Sequence, residues 1–195
     1  YLVSENTTSF GKDFGDLKMM EKMLPELSKI EAIKRIRLSY LQPAEMRPSL
    51  IQAMVSVPKV VPYFDLSFQH TSPTVLRRMR RFGDSEKFLH LITQIRALSP
   101  EAGIRSNFIV GFPGETEEDH DQLLDFVEKA ELDWCGFFAY SAEDGTYAKD
   151  LDGQVPEGLM RERLSELSEM QDNITSRRRD DLIGRTVNVL VDEPG

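Results

Sequence analysis

Cysteine is nearly absent from this chain, since Cys135 is the only one among its 195 residues. A single thiol excludes an internal disulfide and any cysteine-based metal or cluster site built from this chain alone. The scarcity fits a reducing cytoplasm, where disulfides are rare. Cys135 lies in an apolar stretch, which favours a place in the core over a role as nucleophile.

Several catalytic and binding signatures are also missing. The three histidines are scattered, and none has a second ligand at metal-binding spacing. There is no phosphate-binding P-loop, no GxGxxG and no local signature of a Ser-His-Asp triad. We therefore expect no metal site in this chain and assign no catalytic residue.

Long apolar runs and an excess of positive charge are lacking as well. No apolar run could span a bilayer, so no membrane partner is expected. The net charge of -9 argues against a broad nucleic-acid surface and favours a basic partner or a small ligand. The chain starts at Tyr1 rather than Met, inside a predicted strand, and we therefore expect it to be a fragment of a longer protein.

What is present is an alternation of strand and helix patterns, five times, at spacings of roughly thirty residues. This order is typical of βαβ units and predicts an α/β fold with a parallel sheet. A charged helix from Pro156 to about Gly184 follows, and then a strand pattern from Thr186 to Asp192, which we interpret as the start of a further domain. The strands are predicted at residues 2–4, 35–41, 63–69, 104–110 and 134–140.

Three predicted strands carry polar residues on one face, although fully buried parallel strands are normally apolar throughout. If the apolar faces pack against outer helices, the polar faces line the inside of a barrel. The alternative is an open sheet with polar positions near the strand ends. The polar residues are Arg37 and Ser39, then Asp65, Ser67 and Gln69, and then Arg105 and Asn107.

The stretch from Ile104 to Thr116 predicts a strand, a Gly/Pro turn and a capped helix start in immediate succession. Loops at the carboxyl ends of parallel strands commonly build active sites. Glu115, still in the turn, is a candidate ligand residue, and an ordinary βα turn is the alternative. His70 also follows a strand, where a structural histidine is an equally good interpretation. The arginine runs at 77–81 and 177–179 are interpreted as solvated helix faces.

Four motifs in order resemble the radical SAM methylthiotransferases, over nearly the whole chain. The RimO type, which modifies an aspartate of a small-subunit ribosomal protein, is favoured by Gln69-His70, where the tRNA-modifying MiaB type more often has Gln-Ser-Gly. The motifs are residues 110–116 (VGFPGET), residues 65–72 (DLSFQHTS) with 76–81 (LRRMRR), residues 138–141 (FAYS) with Gly145-Thr146, and residues 184–187 (GRTV).

The resemblance implies a partial, six-stranded radical SAM barrel, with the strands here as its second to sixth. It divides the chain into a partial barrel at residues 1–155, a connecting helix at 156–184 and the first strand of a truncated TRAM domain at 185–195. It also implies SAM as cofactor, together with two 4Fe-4S clusters whose ligands, a CxxxCxxC loop and three further cysteines, lie outside this chain. The fragment alone is expected to be inactive.

The resemblance also assigns SAM-binding residues. Glu5 or Asn6 is expected at the SAM amino group, although most relatives would have Gln-Asp there, and Gln69 or His70 at the ribose. The methionyl and adenine parts are expected at Asn107 and at the turn formed by Ile109, Gly111, Gly114 and Glu115.

In the implied reaction, SAM is reductively cleaved to a deoxyadenosyl radical that abstracts hydrogen from the substrate carbon. Sulfur arrives through the auxiliary cluster, and a second SAM then supplies the methyl group. An electron donor is a further expected partner. Three alternatives stay open at this point: a tRNA-modifying enzyme, a non-catalytic binding scaffold, and an aldolase-like barrel enzyme. The last would need a Schiff-base lysine or metal ligands at strand ends, and the sequence offers neither.

Overall fold

The computed structural model describes residues 1–187 and 189–191, in which helices and strands alternate along the chain. The predicted α/β class is confirmed. The helices are α1 (Met19–Lys29), α2 (Pro48–Ser56), α3 (Pro73–Arg78), α4 (Ser85–Leu98), α5 (Glu117–Ala130) and α6 (Glu157–Asp180), and the strands are β1 (Tyr63–Gln69), β2 (Gly103–Val110) and β3 (Trp134–Ala139).

The three strands form one parallel sheet in the order β1-β2-β3. Asp65 of β1 is paired with Arg105 of β2, which in turn is paired with Trp134 of β3. The chain passes through one or two helices between successive strands, as parallel pairing requires. This register places polar residues of neighbouring strands side by side.

The two strands predicted before β1 are reduced to single parallel bridges. Leu2 bridges Leu38, and Leu41 bridges Leu66. Tyr40 has a φ of 57°, which takes the backbone out of the extended conformation between Leu38 and Leu41 and prevents a continuous ladder. The predicted spatial order of five parallel segments is therefore kept, while the first two lack regular strand hydrogen bonding.

The core lies between the outer face of the sheet and the helices. Phe68 and Phe108 from the sheet meet Phe88 of α4 and Phe126 of α5, with ring centroids 4.5 Å apart for Phe68 and Phe88 and 6.0 Å apart for Phe108 and Phe126. Each buried aromatic contributes about 1.5–3 kcal/mol of hydrophobic stabilisation. Cys135 is buried in the same core, as predicted. The core anchors the sheet and leaves its other face to the polar side chains.

Helix α6 packs against β3 and α5. Leu167 and Ile174 are buried beneath it, and Gln171 Nε2 donates to the Leu132 carbonyl at 2.9 Å. Arg178 Nε lies 2.8 Å from Asp133 Oδ1. The segment at 156–184 is thus a packed part of the fold rather than only a spacer.

The strand predicted from Thr186 to Asp192 is wrong for residues 186, 187 and 189–191, which are not in a strand. The physical reason is that a strand needs a partner to satisfy its backbone groups, and the described residues offer none there. Asn188 and Asp192 lie outside the described residues. Among the described residues, no helix combines the length and the apolar character that a membrane span requires.

Candidate functional site

The inner face of the sheet brings the predicted polar residues together. Arg105 Nη1 lies 3.3 Å from Asp65 Oδ1 across the β1–β2 pairing, and Arg105 Nη2 donates to Asn107 Oδ1 at 3.0 Å. The Arg105 guanidinium also stacks over the Trp134 ring, 4.7 Å from its centroid. The predicted polar residues Asp65 of β1 and Arg105 and Asn107 of β2 therefore lie together on one face of the sheet. Asn107 is held by Arg105 in one orientation.

Gly136 on β3 provides the space that Asn107 occupies. A Cβ atom at Gly136 would lie only 2.8 Å from Asn107 Oδ1, and 3.0 Å from an atom of the Trp134 ring. The absence of a side chain at Gly136 therefore makes room for Asn107, because a methyl group here would collide with the Asn107 amide. Gly136 was not among the predicted site residues, since a glycine in a strand has no distinctive sequence pattern.

The turn after β2 has the predicted strand–turn–helix form. Gly111 and Gly114 adopt φ values of 77° and 85°, a left-handed conformation that glycine adopts without strain. Thr116 then caps α5: its Oγ1 accepts from Asp119 N at 3.2 Å, and Asp119 Oδ2 accepts from Thr116 N at 2.9 Å. This reciprocal capping box starts the helix immediately after the turn.

Glu115 and His70 lie behind this turn, and both side chains are completely buried. Glu115 Oε2 accepts from Gly111 N at 2.7 Å. His70 Nδ1 accepts from Ser72 N at 3.0 Å, and its Nε2 lies 3.6 Å from Glu115 Oε2. The expected side-chain contact of His70 or Glu115 with SAM does not fit this burial. Both residues support the turn from inside the fold.

A cavity of about 410 Å³ lies at the carboxyl end of β1. Asn6, one of the predicted SAM contacts, is in its wall, where Asn6 Nδ2 donates to Glu45 Oε2 at 2.8 Å. Glu5, the alternative, is exposed and does not line this cavity. Of the two predicted residues, Asn6 is therefore the one that lies at this cavity. The cavity is lined by Asn6, Gln42, Pro43, Ala44, Glu45, Ser67, Phe68, Arg80, Arg81, Phe82 and Phe88.

Two arginines line this cavity: Arg80, which is exposed and lies over the Tyr147 ring, and Arg81, which is half-buried and was not predicted as a site residue. Arg81 Nη1 donates to Gln42 Oε1 at 2.9 Å, and no carboxylate of the described residues forms an ion pair with it within 4 Å. Partial burial lowers the pKa of Arg81, but a guanidinium stays charged at neutral pH. The interpretation of the 77–81 run as a solvated face is wrong for this residue, because it follows the end of α3 and turns back toward Ser67.

The remaining predicted contacts lie on β1 and β2. Gln69 ends β1 with a φ of 67°, next to an irregularity in the pairing of β1 with β2. Asn107 and Ile109 are partly accessible residues of the inner face, in register with Gly136 and Phe138. The cavity wall holds the Glu45 carboxylate and the guanidinium groups of Arg80 and Arg81, together with the amides of Asn6 and Gln42. This combination is chemically suited to an α-amino acid group with its attached apolar chain.

Comparison with known proteins identifies the family and the fold. A family model described as the Radical SAM superfamily matches residues 3–127. The chain therefore belongs to the radical SAM superfamily. Coproporphyrinogen III oxidase (HemN) from Escherichia coli, a radical SAM enzyme, is structurally similar with a TM-score of 0.61, covering 82% of this chain and 36% of that chain at 19% identity. The fold is thus a partial radical SAM barrel.

More similar sequences carry a more specific name. Ribosomal protein uS12 methylthiotransferase RimO of Kineococcus radiotolerans is 55% identical over 192 residues, which is 98% of this chain and 40% of that protein. The protein of the same name from Saccharopolyspora erythraea is 55% identical over 197 residues, covering 100% and 41%. The chain thus spans about 40% of the length of the curated relatives it matches.

The residues present fit SAM but not an iron–sulfur cluster. SAM carries an α-amino and an α-carboxylate group, for which Glu45 and Arg81 have complementary charges. The only thiol, Cys135, is buried in the core, and burial raises its pKa far above the ordinary range. A thiol of this kind is not available as a thiolate ligand.

Proposed function

We propose that this chain is the SAM-binding part of a methylthiotransferase that modifies an aspartate of ribosomal protein uS12. The relatives named for this activity match 98% to 100% of the chain at 55% identity, which supports the assignment of the whole protein. The observation within the structure that carries the SAM-binding role is the cavity with Arg81 and Glu45. The methylthiolation reaction also needs an electron donor. We propose that the reaction takes place in the cytoplasm, where the ribosomal substrate is found.

The proposed binding mode uses each part of the site for one part of SAM. Arg81 binds the methionyl carboxylate, and Glu45 with Asn6 accepts hydrogen bonds from the amino group. Gln69 binds the ribose, and Asn107 with Ile109 and the turn residues Gly111 and Gly114 forms the wall for the rest of the molecule.

In this role the chain binds and orients SAM. When bound, SAM supplies the hydrogen-abstracting group and the methyl group of the reaction. The side chains of the inner face hold it in one position, which is the main contribution a protein makes to cofactor chemistry. We further propose that residues 1–155 form the barrel part, that 156–184 connect it to the next domain, and that residues 185–195 lead into a TRAM domain.

Binding of SAM and of decarboxylated SAM to the full-length protein tests the assignment of Arg81. Arg81→Ala is expected to weaken SAM binding about tenfold to hundredfold, because a hydrogen bond to a charged group contributes about 1.5–3 kcal/mol. The same variant should bind decarboxylated SAM as tightly as the unmodified protein does, since that ligand has no carboxylate to lose. Isothermal titration calorimetry measures both dissociation constants.

Arg77→Ala is the matched control, because Arg77 is an exposed arginine of the same run outside the cavity. Equal losses for both ligands would contradict a carboxylate contact. For the whole reaction, the reconstituted full-length protein is offered purified uS12 and unmodified tRNA separately. Methylthiolation of tRNA with no change in uS12 would replace the proposed substrate with the tRNA alternative.

A further inference from the structure

The turn that carries Gly111 and Gly114 is held from outside by a later part of the chain, residues 152–163. Gly114 N donates to the Gly153 carbonyl at 2.7 Å. Met160 packs so closely on Gly111 that a Cβ there would lie 2.2 Å from Met160 Cγ. The turn is therefore enclosed by the start of α6 and the loop before it.

The strongest of these contacts runs through one buried carboxylate. Glu115 Oε2 accepts from Gly111 N at 2.7 Å, while Glu115 Oε1 accepts from Arg163 Nη1 at 2.8 Å. The second arm of the Arg163 guanidinium, Nη2, binds Glu117 Oε2 at 2.8 Å. One oxygen of Glu115 thus faces the turn and the other faces α6.

Both members of this pair are shielded from water, since 3% of the Arg163 side chain and 0% of the Glu115 side chain are exposed. Burial of an ion pair is stabilising only if hydrogen bonds satisfy its remaining groups, and removal of one partner leaves an uncompensated buried charge. An arginine in the middle of a charged helix is usually solvated, so its burial here needs a specific reason. The reason visible in the structure is the support of Glu115.

We infer that Arg163 is a positioning residue for SAM binding, which holds Glu115 and through it the Gly111 amide, so that the docking of α6 sets the shape of the turn. This inference rests on the proposed SAM-binding function for its consequence. The geometry of the turn itself does not depend on that function. The shape of a cofactor site supported in this way responds to anything that moves α6.

Hydrogen–deuterium exchange of the ligand-free full-length protein tests the positioning directly. Arg163→Gln is expected to speed the exchange of the amides of Gly111, Phe112, Gly114 and Glu115 about tenfold or more, because the charge-assisted hydrogen bond that Gly111 N donates to Glu115 loses its orientation. Arg163→Lys keeps the charge but not the two-armed contact, so it should have a smaller effect. Arg178→Ala is the matched control, since it removes a 2.8 Å contact of the same helix with Asp133, away from the turn.

Binding of SAM to the same variants is the second measurement. We expect Arg163→Gln to raise the dissociation constant about tenfold, with partial rescue in Arg163→Lys and no change in Arg178→Ala. In steady-state assays of the reconstituted protein, the loss should fall on the KM for SAM more than on kcat. If Arg163 contributed only to general stability, Arg163→Gln would accelerate exchange equally throughout the helices and strands. That result would overturn the inference.

The two proposals can fail separately. If the unmodified protein does not bind SAM, the proposed function is wrong, while selective exchange at 111–115 in Arg163→Gln still supports the positioning. If SAM binds but Arg163→Gln leaves both exchange and affinity unchanged, the positioning is wrong. Should Arg163→Gln fail to fold, the Arg163→Lys variant decides: unchanged exchange at 111–115 in it contradicts the inference.

Discussion

Replacing Gly111 with alanine tests the turn at its most restricted position. Gly111 has a φ of 77°, in the left-handed region where a side chain is strained. An alanine Cβ would also lie 2.2 Å from Met160 Cγ and 2.4 Å from its Sδ. The substitution therefore combines a backbone cost with a steric collision, and the two can be separated.

The left-handed conformation costs a non-glycine residue about 1–2 kcal/mol. Overpacking against Met160 adds about 1–3 kcal/mol, reduced by whatever freedom the flexible methionine has to move. A total near 3 kcal/mol lowers the Tm of a domain of this size by about 6–12 °C. Because the turn also forms part of the proposed SAM wall, we expect weaker SAM binding in the same variant.

Thermal unfolding followed by circular dichroism measures the stability, and the Met160→Ala background separates the two terms. Met160→Ala removes the atoms that collide, so Gly111→Ala should cost only the backbone term, about 1–2 kcal/mol, in that background. Gly145→Ala is the control for the backbone term, since Gly145 has a φ of 77° with nothing within 4 Å of its Cβ position. The reasoning is refuted if Gly111→Ala is no more destabilising than Gly145→Ala.

Two further predictions follow. Gly136→Ala should leave the Tm within a few degrees of the unmodified protein, since Gly136 does not have a left-handed φ. The variant should weaken SAM binding at least tenfold in calorimetry, because the added methyl group would lie 2.8 Å from Asn107 Oδ1. Unchanged affinity would show that Asn107 does not contact the ligand. For Asp119, burial raises the pKa but the hydrogen bonds from Ser72 and Thr116 outweigh it, so the pKa lies below its ordinary value of 3.8. Its carboxylate therefore stabilises the fold above about pH 4 and loses this effect as the pH falls through the lowered pKa. Urea unfolding should show a deficit for Asp119→Asn at pH 7 that shrinks at pH 3, and a deficit independent of pH would contradict the assignment.

Local patterns in the sequence were sufficient for the framework of the site. The capping pair Thr116 and Asp119, the glycines of the turn and the alternation of polar and apolar residues along β1 and β2 all act over a few residues. Their geometry is dictated by backbone sterics and short-range hydrogen bonds, which a sequence displays directly. The shared polar face followed from the strand period of two.

The roles of individual side chains required the tertiary structure. Glu115 looked like a ligand residue because it lies in the turn, but Arg163, 48 residues later, covers it and gives it a supporting role. Arg81 was predicted to be one of several solvated arginines, but the chain after α3 places it beside Ser67 near the end of β1. In each case a contact between residues distant in the sequence determines whether a charged group faces water or protein, and a local sequence pattern does not predict such a contact. By itself the sequence determined where the turn lies and how α5 begins. The packing of α6 against the turn decided which side chains of the turn are open to a ligand.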